Sequence, residues 1–263
     1  MRLLRFSNGN FELTEDLVRE IPAYAILSHT WSSDPNKEVL YQDLVNGTGT
    51  EKPGYDKIKF CAAQAEHDSL QHFWIDTCCI DQSNRAELNR AISSMFHWYR
   101  NATRCYVYLS DVSTSGFRGK NQQSEVPWKP AFRNSRWFKR GWTLQELLAP
   151  VSVDFFTKEG VRLGDKRSLE QQIHQITGIA TSALQGSALS QFSIEERFQW
   201  ANIRETTLDE DWVYCLQGIF GVSMAVTYGE GKSNALCRLH KEIEGIFITI
   251  PHFTLLCGSK RKE

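Results

Sequence analysis

Polar residues able to bind or activate a ligand follow apolar runs at three points in the chain. Ser28 and His29 come after Tyr24-Ala25-Ile26-Leu27, with Trp31 close behind. Asp76 comes after Phe73-Trp74-Ile75 and precedes Asp81 and Gln82, while Ser110 and Asp111 come after Cys105-Tyr106-Val107-Tyr108-Leu109. If these runs are neighbouring parallel strands, the polar groups gather along one edge of a sheet, outside the carboxyl ends of its strands, where open α/β sheets bind ligands. Asp and Ser at strand ends also cap helices and close turns, which is the commoner use of any one of them.

Glu146 is a further candidate, in the segment Ser135-Arg136-Trp137-Phe138-Lys139-Arg140-Gly141-Trp142-Thr143-Leu144-Gln145-Glu146-Leu147-Leu148-Ala149-Pro150. Helical spacing sorts it into two faces, Leu144, Leu147 and Leu148 on one and Trp142, Gln145 and Glu146 on the other. With the leucines in the core, Glu146 points elsewhere beside an indole and an amide, and the ordinary expectation for such a glutamate is a solvated surface. Other templates fail. Gly229-Glu230-Gly231-Lys232-Ser233 ends like a phosphate-binding loop, but Val226 stands where the first glycine belongs. The chain has no GxGxxG before a helix, no GxSxG, no HExxH and no Cys/His spacing suited to zinc, so no metal site is expected. Adjacent Cys78-Cys79 reads as a pair of small buried residues.

These candidates need elements to hold them. The three apolar runs, with Val151 to Phe156 as a fourth, read as buried strands. Ile58, Cys61, Ala62 and Ala65, and then Leu88, Ile92, Met95, Phe96 and Tyr99, recur at helical spacing between them. Strands alternating with helices predict βαβ units and a mainly parallel sheet. Helices alone follow downstream: Leu169, Ile173 and Ile176 stopped at Gly178, capping boxes at Ser193/Glu196 and Thr207/Glu210, and a last face of Leu236, Leu239 and Ile243. Residues 112–135 lack periodicity and predict a long surface loop.

Composition limits the partners. With 30 Lys+Arg against 31 Asp+Glu in 263 residues, the chain lacks the basic excess of a dedicated nucleic-acid binder. At 41% hydrophobic and 12% aromatic residues it has ample material for a core and is not a disordered chain. Seven cysteines, odd in number and without framework spacing, are read as reduced thiols of a cytoplasmic protein. The apolar start at Met1 to Phe6 is too short for a signal peptide. Trp212 to Gly229 carries no charge, but its Gly, Ser, Gln and Thr residues fit a buried helix and turn better than a membrane span. The run from Ile246 to Cys257 is too short to span, and Ser259 to Glu263 reads as a frayed tail.

Three ordered blocks carry a family likeness. Tyr24-Ala25-Ile26-Leu27-Ser28-His29-Thr30-Trp31, Trp74-Ile75-Asp76-Thr77-Cys78-Cys79-Ile80-Asp81-Gln82 and Arg140 to Pro150 resemble successive blocks of the fungal HET (heterokaryon incompatibility) domain. The likeness continues through Trp200-Ala201, Arg204-Glu205-Thr206-Thr207, Asp211, Tyr214-Cys215-Leu216, Gly218-Ile219-Phe220 and Tyr228-Gly229-Glu230-Gly231. It predicts one domain over residues 1–245, with a TIR/flavodoxin-like α/β core at 1–160, a helical extension at 161–245, and a tail of unassigned role at 246–263.

The resemblance implies a role in fungal non-self recognition and cell death. HET domains are distantly similar to TIR domains, many of which assemble and cleave NAD. In that group a glutamate follows a Ser-x-Trp pattern, and Ser135-Arg136-Trp137 precedes Glu146 here, so the likeness assigns catalysis to Glu146. NAD+ is then a substrate, with no permanently bound cofactor. Cleaving the nicotinamide ribosyl bond builds positive charge on the ribose, which an ionised carboxylate stabilises. With its ordinary pKa of about 4.3, Glu146 is expected to be ionised at neutral pH. Trp31 or Trp142 is expected to stack on a ring of the substrate, Arg140 to offset phosphate charge, and Ser28, His29, Asp76, Asp81 and Gln145 to line the site. Self-association and an upstream sensor are the expected partners. A non-enzymatic death-signalling module that oligomerises and recruits partners is the alternative.

Overall fold

A computed structural model of the protein describes residues 1–7, 9–115 and 128–249. Seven strands, β1 (Leu4–Ser7), β2 (Asn10–Leu13), β3 (Tyr24–His29), β4 (His72–Trp74), β5 (Arg104–Leu109), β6 (Val153–Thr157) and β7 (Arg162–Asp165), form a sheet in the order β2-β1-β4-β3-β5-β6-β7. The central four are parallel to one another, β1 and β7 run against them on either side, and outermost β2 pairs antiparallel with β1. Among the parallel strands the order is second, first, third, fourth, as in flavodoxin-like sheets, with the chain reversing direction between β3 and β5.

All six residues of β3 are buried, as expected of a parallel strand covered on both faces. Side-chain alternation then divides the chemistry. On β5, Tyr106 donates to Gln64 O and Tyr108 packs on Phe60, while Cys105 points to the opposite face and its thiol donates to Glu146 O at 3.8 Å.

The helices are α1 (Tyr41–Val45), α2 (Tyr55–His67), α3 (Asp76–Cys79), α4 (Arg85–Asn101), α5 (Lys129–Asn134), α6 (Thr143–Leu148), α7 (Glu170–Thr177), α8 (Thr181–Leu184), α9 (Ile194–Gln199), α10 (Asp211–Tyr214), α11 (Gln217–Phe220) and α12 (Lys232–Thr249). Helix α2 buries Ile58, Cys61 and Ala65 against the sheet, and α4 buries Ala91, Ile92, Met95 and Tyr99, on the faces that their spacing predicts. Gly178 closes α7 in the left-handed conformation, and Ser193 and Glu196 form the expected capping box on α9.

Other expectations are corrected. Thr207 caps no helix: its hydroxyl accepts from Arg140, and the Glu210 carboxylate accepts instead from the Gly229 and Gly231 amides. The uncharged stretch from Trp212 onward divides into α10 and α11 around an irregular turn, and among the described residues no helix is long and apolar enough to cross a membrane. The loop expected over 112–135 ends in α5, while its residues 116–127 lie outside the described residues. The sheet gains β7 beyond the core boundary expected at 160, and α12 runs on past 245 to Thr249. The tail from 250, including Ser259 to Glu263, lies outside the described residues, as does Cys257. The six described cysteines are free thiols.

Candidate active site

Helix α6 is built into the core rather than laid on it. Every one of its residues is buried, so the solvated surface expected for Glu146 is replaced by a carboxyl that is 4% exposed. The backbone before it explains why. Gly141 donates to Glu205 O at 2.9 Å, Glu205 donates back to Lys139 O, and a Cβ at Gly141 would lie 2.4 Å from Thr206 Cγ2. Only glycine admits that approach, which ties Arg140 and Trp142 to the segment carrying Thr207 and Leu208. Buried Arg204 reinforces the junction, donating to Arg140 O and to Thr143 Oγ1 at 2.9 Å each. Lys166 finishes the helix by donating to Leu147 O and Pro150 O.

Behind the Glu146 carboxyl lies a chain of hydrogen bonds. The Trp137 indole donates to Ser28 Oγ at 2.8 Å, and Ser28 donates to Glu146 Oε2 at 2.5 Å. The Tyr99 hydroxyl lies in hydrogen-bonding contact with the same carboxyl and donates to Leu27 O at 2.9 Å. Tyr99 has one proton, and Leu27 takes it. A protonated Glu146 satisfies the whole chain, accepting from Ser28 and donating to the Tyr99 oxygen. The electrostatics agree: burial pushes the Glu146 carboxyl up to about 8, negative Asp76 adds to the rise, and Ser28 and Arg204 offset only part of it. The ionised state expected at neutral pH is therefore corrected, and the unliganded protein holds Glu146 mostly neutral.

Asp76 has the opposite character. Burial works against its charge, yet His29, Trp31 and Lys57 outweigh that and hold the carboxyl below the ordinary range. His29, on the face of β3 opposite Ser28, is gripped at both nitrogens. Nε2 is 2.9 Å from Asp76 Oδ1, and Lys57 Nζ lies 3.0 Å from Nδ1 while also donating to Glu38 at 2.5 Å. With Lys57 donating to Nδ1, the ring proton sits on Nε2 and goes to Asp76. The Trp31 indole donates to the second Asp76 oxygen at 2.7 Å.

Both carboxyls open into one cavity of about 530 Å³ at the carboxyl edge of the sheet, a size suited to a small organic ligand. His29, Trp31, Asp76, Arg140, Trp142 and Glu146, all singled out in the sequence, line it, and Ile80, Leu88, Ile92 and Met95 supply an apolar wall. Loop residues Thr207, Leu208 and Tyr228, with Asp211 at the start of α10, close it, and the Tyr228 hydroxyl donates to Asp211 at 2.8 Å. Burial raises the Asp211 carboxyl against hydrogen bonds from Tyr228 and Trp142.

Three expected site residues stand elsewhere. Ser28 lies behind Glu146 rather than on the cavity wall. Asp81 closes a turn, accepting from the Ser83 amide and hydroxyl, and Gln145 is buried away from the cavity with its Nε2 unpartnered. Asp111, another strand-end candidate, binds Ser135 Oγ and the Arg136 amide and so fixes the Ser135-Arg136-Trp137 turn. Sequence reasoning missed Tyr99, Lys57, Glu38, Asp211 and Tyr228, although Tyr99 belongs to a helical face it identified. No group of three or more potential metal ligands occurs among the described residues.

Fold and cavity define an α/β domain whose cavity opens where the sheet order reverses, with one neutral and one ionised carboxyl facing a partly apolar pocket. Comparison with known proteins names the family. The model of the heterokaryon incompatibility protein (HET) family matches residues 24–130, and the chain carries a HET domain. It is 53% identical over 245 residues to vegetative incompatibility protein HET-E-1 of Podospora anserina, an alignment covering 92% of this chain and 18% of that protein. The chain thus spans under a fifth of that relative's length. No solved structure matches it.

Proposed function

We propose that this chain is the cell-death effector of a vegetative incompatibility system, acting as a TIR-like NAD glycohydrolase that self-assembly activates. The observation that carries the reading is Glu146, a buried carboxyl facing a cavity walled by Trp31 and Trp142 and shared with ionised Asp76. A pocket of this composition suits a ligand that is aromatic and cationic at one end, as the nicotinamide of NAD+ is. Arg140 supplies positive charge on the same wall for the pyrophosphate.

In the proposed reaction the bond from ribose C1′ to the nicotinamide nitrogen breaks, and its electron pair neutralises the pyridinium. Glu146 stabilises the oxocarbenium left on the ribose. Water adds to C1′ and loses a proton, giving ADP-ribose, nicotinamide and H⁺. The elevated Glu146 carboxyl fits this order of events, because a cation arriving beside it favours its ionised form. Proton release then accompanies substrate binding, and the water-excluded carboxylate appears only where it is used. Ser28 and Trp137 hold it in position without touching substrate.

The satisfied chain from Trp137 through Ser28 and Glu146 to Leu27 also favours a second reading, in which neutral Glu146 is a structural tie in a non-enzymatic signalling module that oligomerises. Nicotinamide release by the purified chain, followed at rising protein concentration with wild type and Glu146→Gln, separates the two. Release that climbs with concentration and is lost in a folded variant supports the hydrolase. Absence of release from a folded wild-type chain that kills cells equally well as either version removes it.

A further inference from the structure

A second cleft, of about 550 Å³, lies at the carboxyl end of α6. It is walled by the ends of α4 and α8, the turn that follows α8, and helix α11. Its charged residues are Arg100, Lys166 and Arg197, and no Asp or Glu lines it. None of the three forms an ion pair with a carboxylate among the described residues, although Lys166 is only 7% exposed and Arg197 only 6%.

Their existing partners are neutral. Lys166 donates to Leu147 O and Pro150 O, and Arg197 reaches Ser193 O and Ile219 O, with its guanidinium 4.7 Å from the centre of the Phe220 ring. Burial pushes the Lys166 ammonium down to about 8 and lowers Arg197 as well. Buried charges in native proteins are ordinarily paired. Two such cations open to one cavity without a counter-charge are a site waiting for an anion.

We propose that this cleft binds a phosphate monoester with an apolar or aromatic body, a ligand distinct from the substrate of the Glu146 pocket. The phosphate pairs with Lys166, Arg197 and rim residue Arg100, as guanidinium and ammonium donors commonly do with phosphate oxygens. The apolar body rests on Phe96, Leu148 and Leu184. Phosphate alone would leave most of the cleft empty, which is why an organic ester fits better than the inorganic ion. Because Lys166 also donates to Leu147 O, one residue past Glu146, occupancy acts on the helix that carries Glu146.

Calorimetric titration of the full chain with phenyl phosphate, inorganic phosphate and phenol at fixed ionic strength tests this without measuring catalysis. The expected result is saturable phenyl phosphate binding, at least about tenfold tighter than either fragment, since each fragment lacks half of the contacts. Arg100→Ser, on the exposed rim and safe for folding, and Lys166→Met should each weaken it about tenfold. Trp142→Ala, in the other pocket, should leave it unchanged. Absent saturation, equal binding of inorganic phosphate, or indifference to Arg100→Ser would overturn the proposal. An NAD hydrolase lacking this binding, or this binding in a chain inert toward NAD, tells the two proposals apart.

Discussion

The two cavities that meet α6 are electrostatic opposites. One presents Asp76, Glu146 and Asp211 with Arg140 and His29, and the other presents Arg100, Lys166 and Arg197 with no carboxylate. In each, burial forces an ionisable group toward its neutral form, Glu146 up to about 8 and Lys166 down to about 8. A six-residue helix thus carries one of these groups, Glu146, and is tied at Leu147 O by the other, Lys166, both held near the boundary of ionisation at neutral pH. A cation entering one cavity, or an anion entering the other, stabilises the charged form that the empty protein disfavours.

The largest expected effect breaks the acidic side of that contrast. Glu146→Gln keeps an oxygen to accept from Ser28 and an amide to donate toward Tyr99, so circular dichroism should be unchanged. Without an ionisable group beside the reacting ribose, nicotinamide release should fall at least about a hundredfold. Wild-type release should rise with pH through about 8, as Glu146 becomes the carboxylate that the reaction uses.

The next effect strikes the basic side. A Cβ at Gly218 would lie 2.2 Å from Phe96, so α11 meets α4 only because that residue is glycine. Gly218→Ala should cost about 2–3 kcal/mol in urea unfolding, by overpacking. It should also displace the cleft wall and weaken phenyl phosphate binding, while Glu146 keeps its hydrogen bonds.

Both sides meet in the pH dependence of stability. Glu146 holds a folded-state pKa of about 8 against an unfolded value of 4.5, so between those values the folded chain binds the extra proton and stability falls as pH rises. Lys166 holds about 8 against 10.5, so in that higher window the unfolded chain binds the extra proton and stability rises with pH. Burial raises the Cys61, Cys78 and Cys105 thiols well above their ordinary range, so above about pH 8 they lower stability with rising pH and oppose the Lys166 effect. Stability to thermal unfolding should therefore fall from pH 5 to about 8. Glu146→Gln should flatten this fall and Lys166→Met should steepen the loss above pH 8, and a wild-type profile that is level from pH 5 to 8 would contradict the Glu146 assignment.

What the sequence made legible follows from these same forces. Runs such as Tyr24 to Leu27 are apolar throughout because parallel central strands are covered on both faces, and they stood out at once. Strands β1, β2 and β7 are short strands of mixed burial outside the parallel centre, and their residues give no such run. Strand-end polarity drew attention to His29 and Asp76, and the resemblance to TIR domains drew it to Glu146. It could not find the Ser28–Glu146 bond, which joins residues 118 apart in sequence. Nor could it find Asp211 and Tyr228, which reach the cavity through the Gly141–Glu205 junction, whose need for glycine is apparent only once the two segments lie together.

The smallest effect concerns a residue that the strand-end pattern drew into the site and the fold keeps out. Asp81 spends its carboxylate on Ser83, and its own amide is held by Glu87, so its work is to shape the turn before α4. Asp81→Ala should cost no more than about 1 kcal/mol, the usual loss for a partly exposed turn or cap residue. It should leave nicotinamide release and phenyl phosphate binding within twofold of wild type, roughly the effect of a few tenths of a kcal/mol. Asp76→Asn, one turn earlier in the same motif, removes the charge that His29, Trp31 and Lys57 stabilise and that raises Glu146. The alkaline shift of the activity profile should shrink with it. If the two aspartates proved equivalent in either assay, the pocket would extend past Asp76 toward Asp81, and the division between site and scaffold in this motif would have to be redrawn.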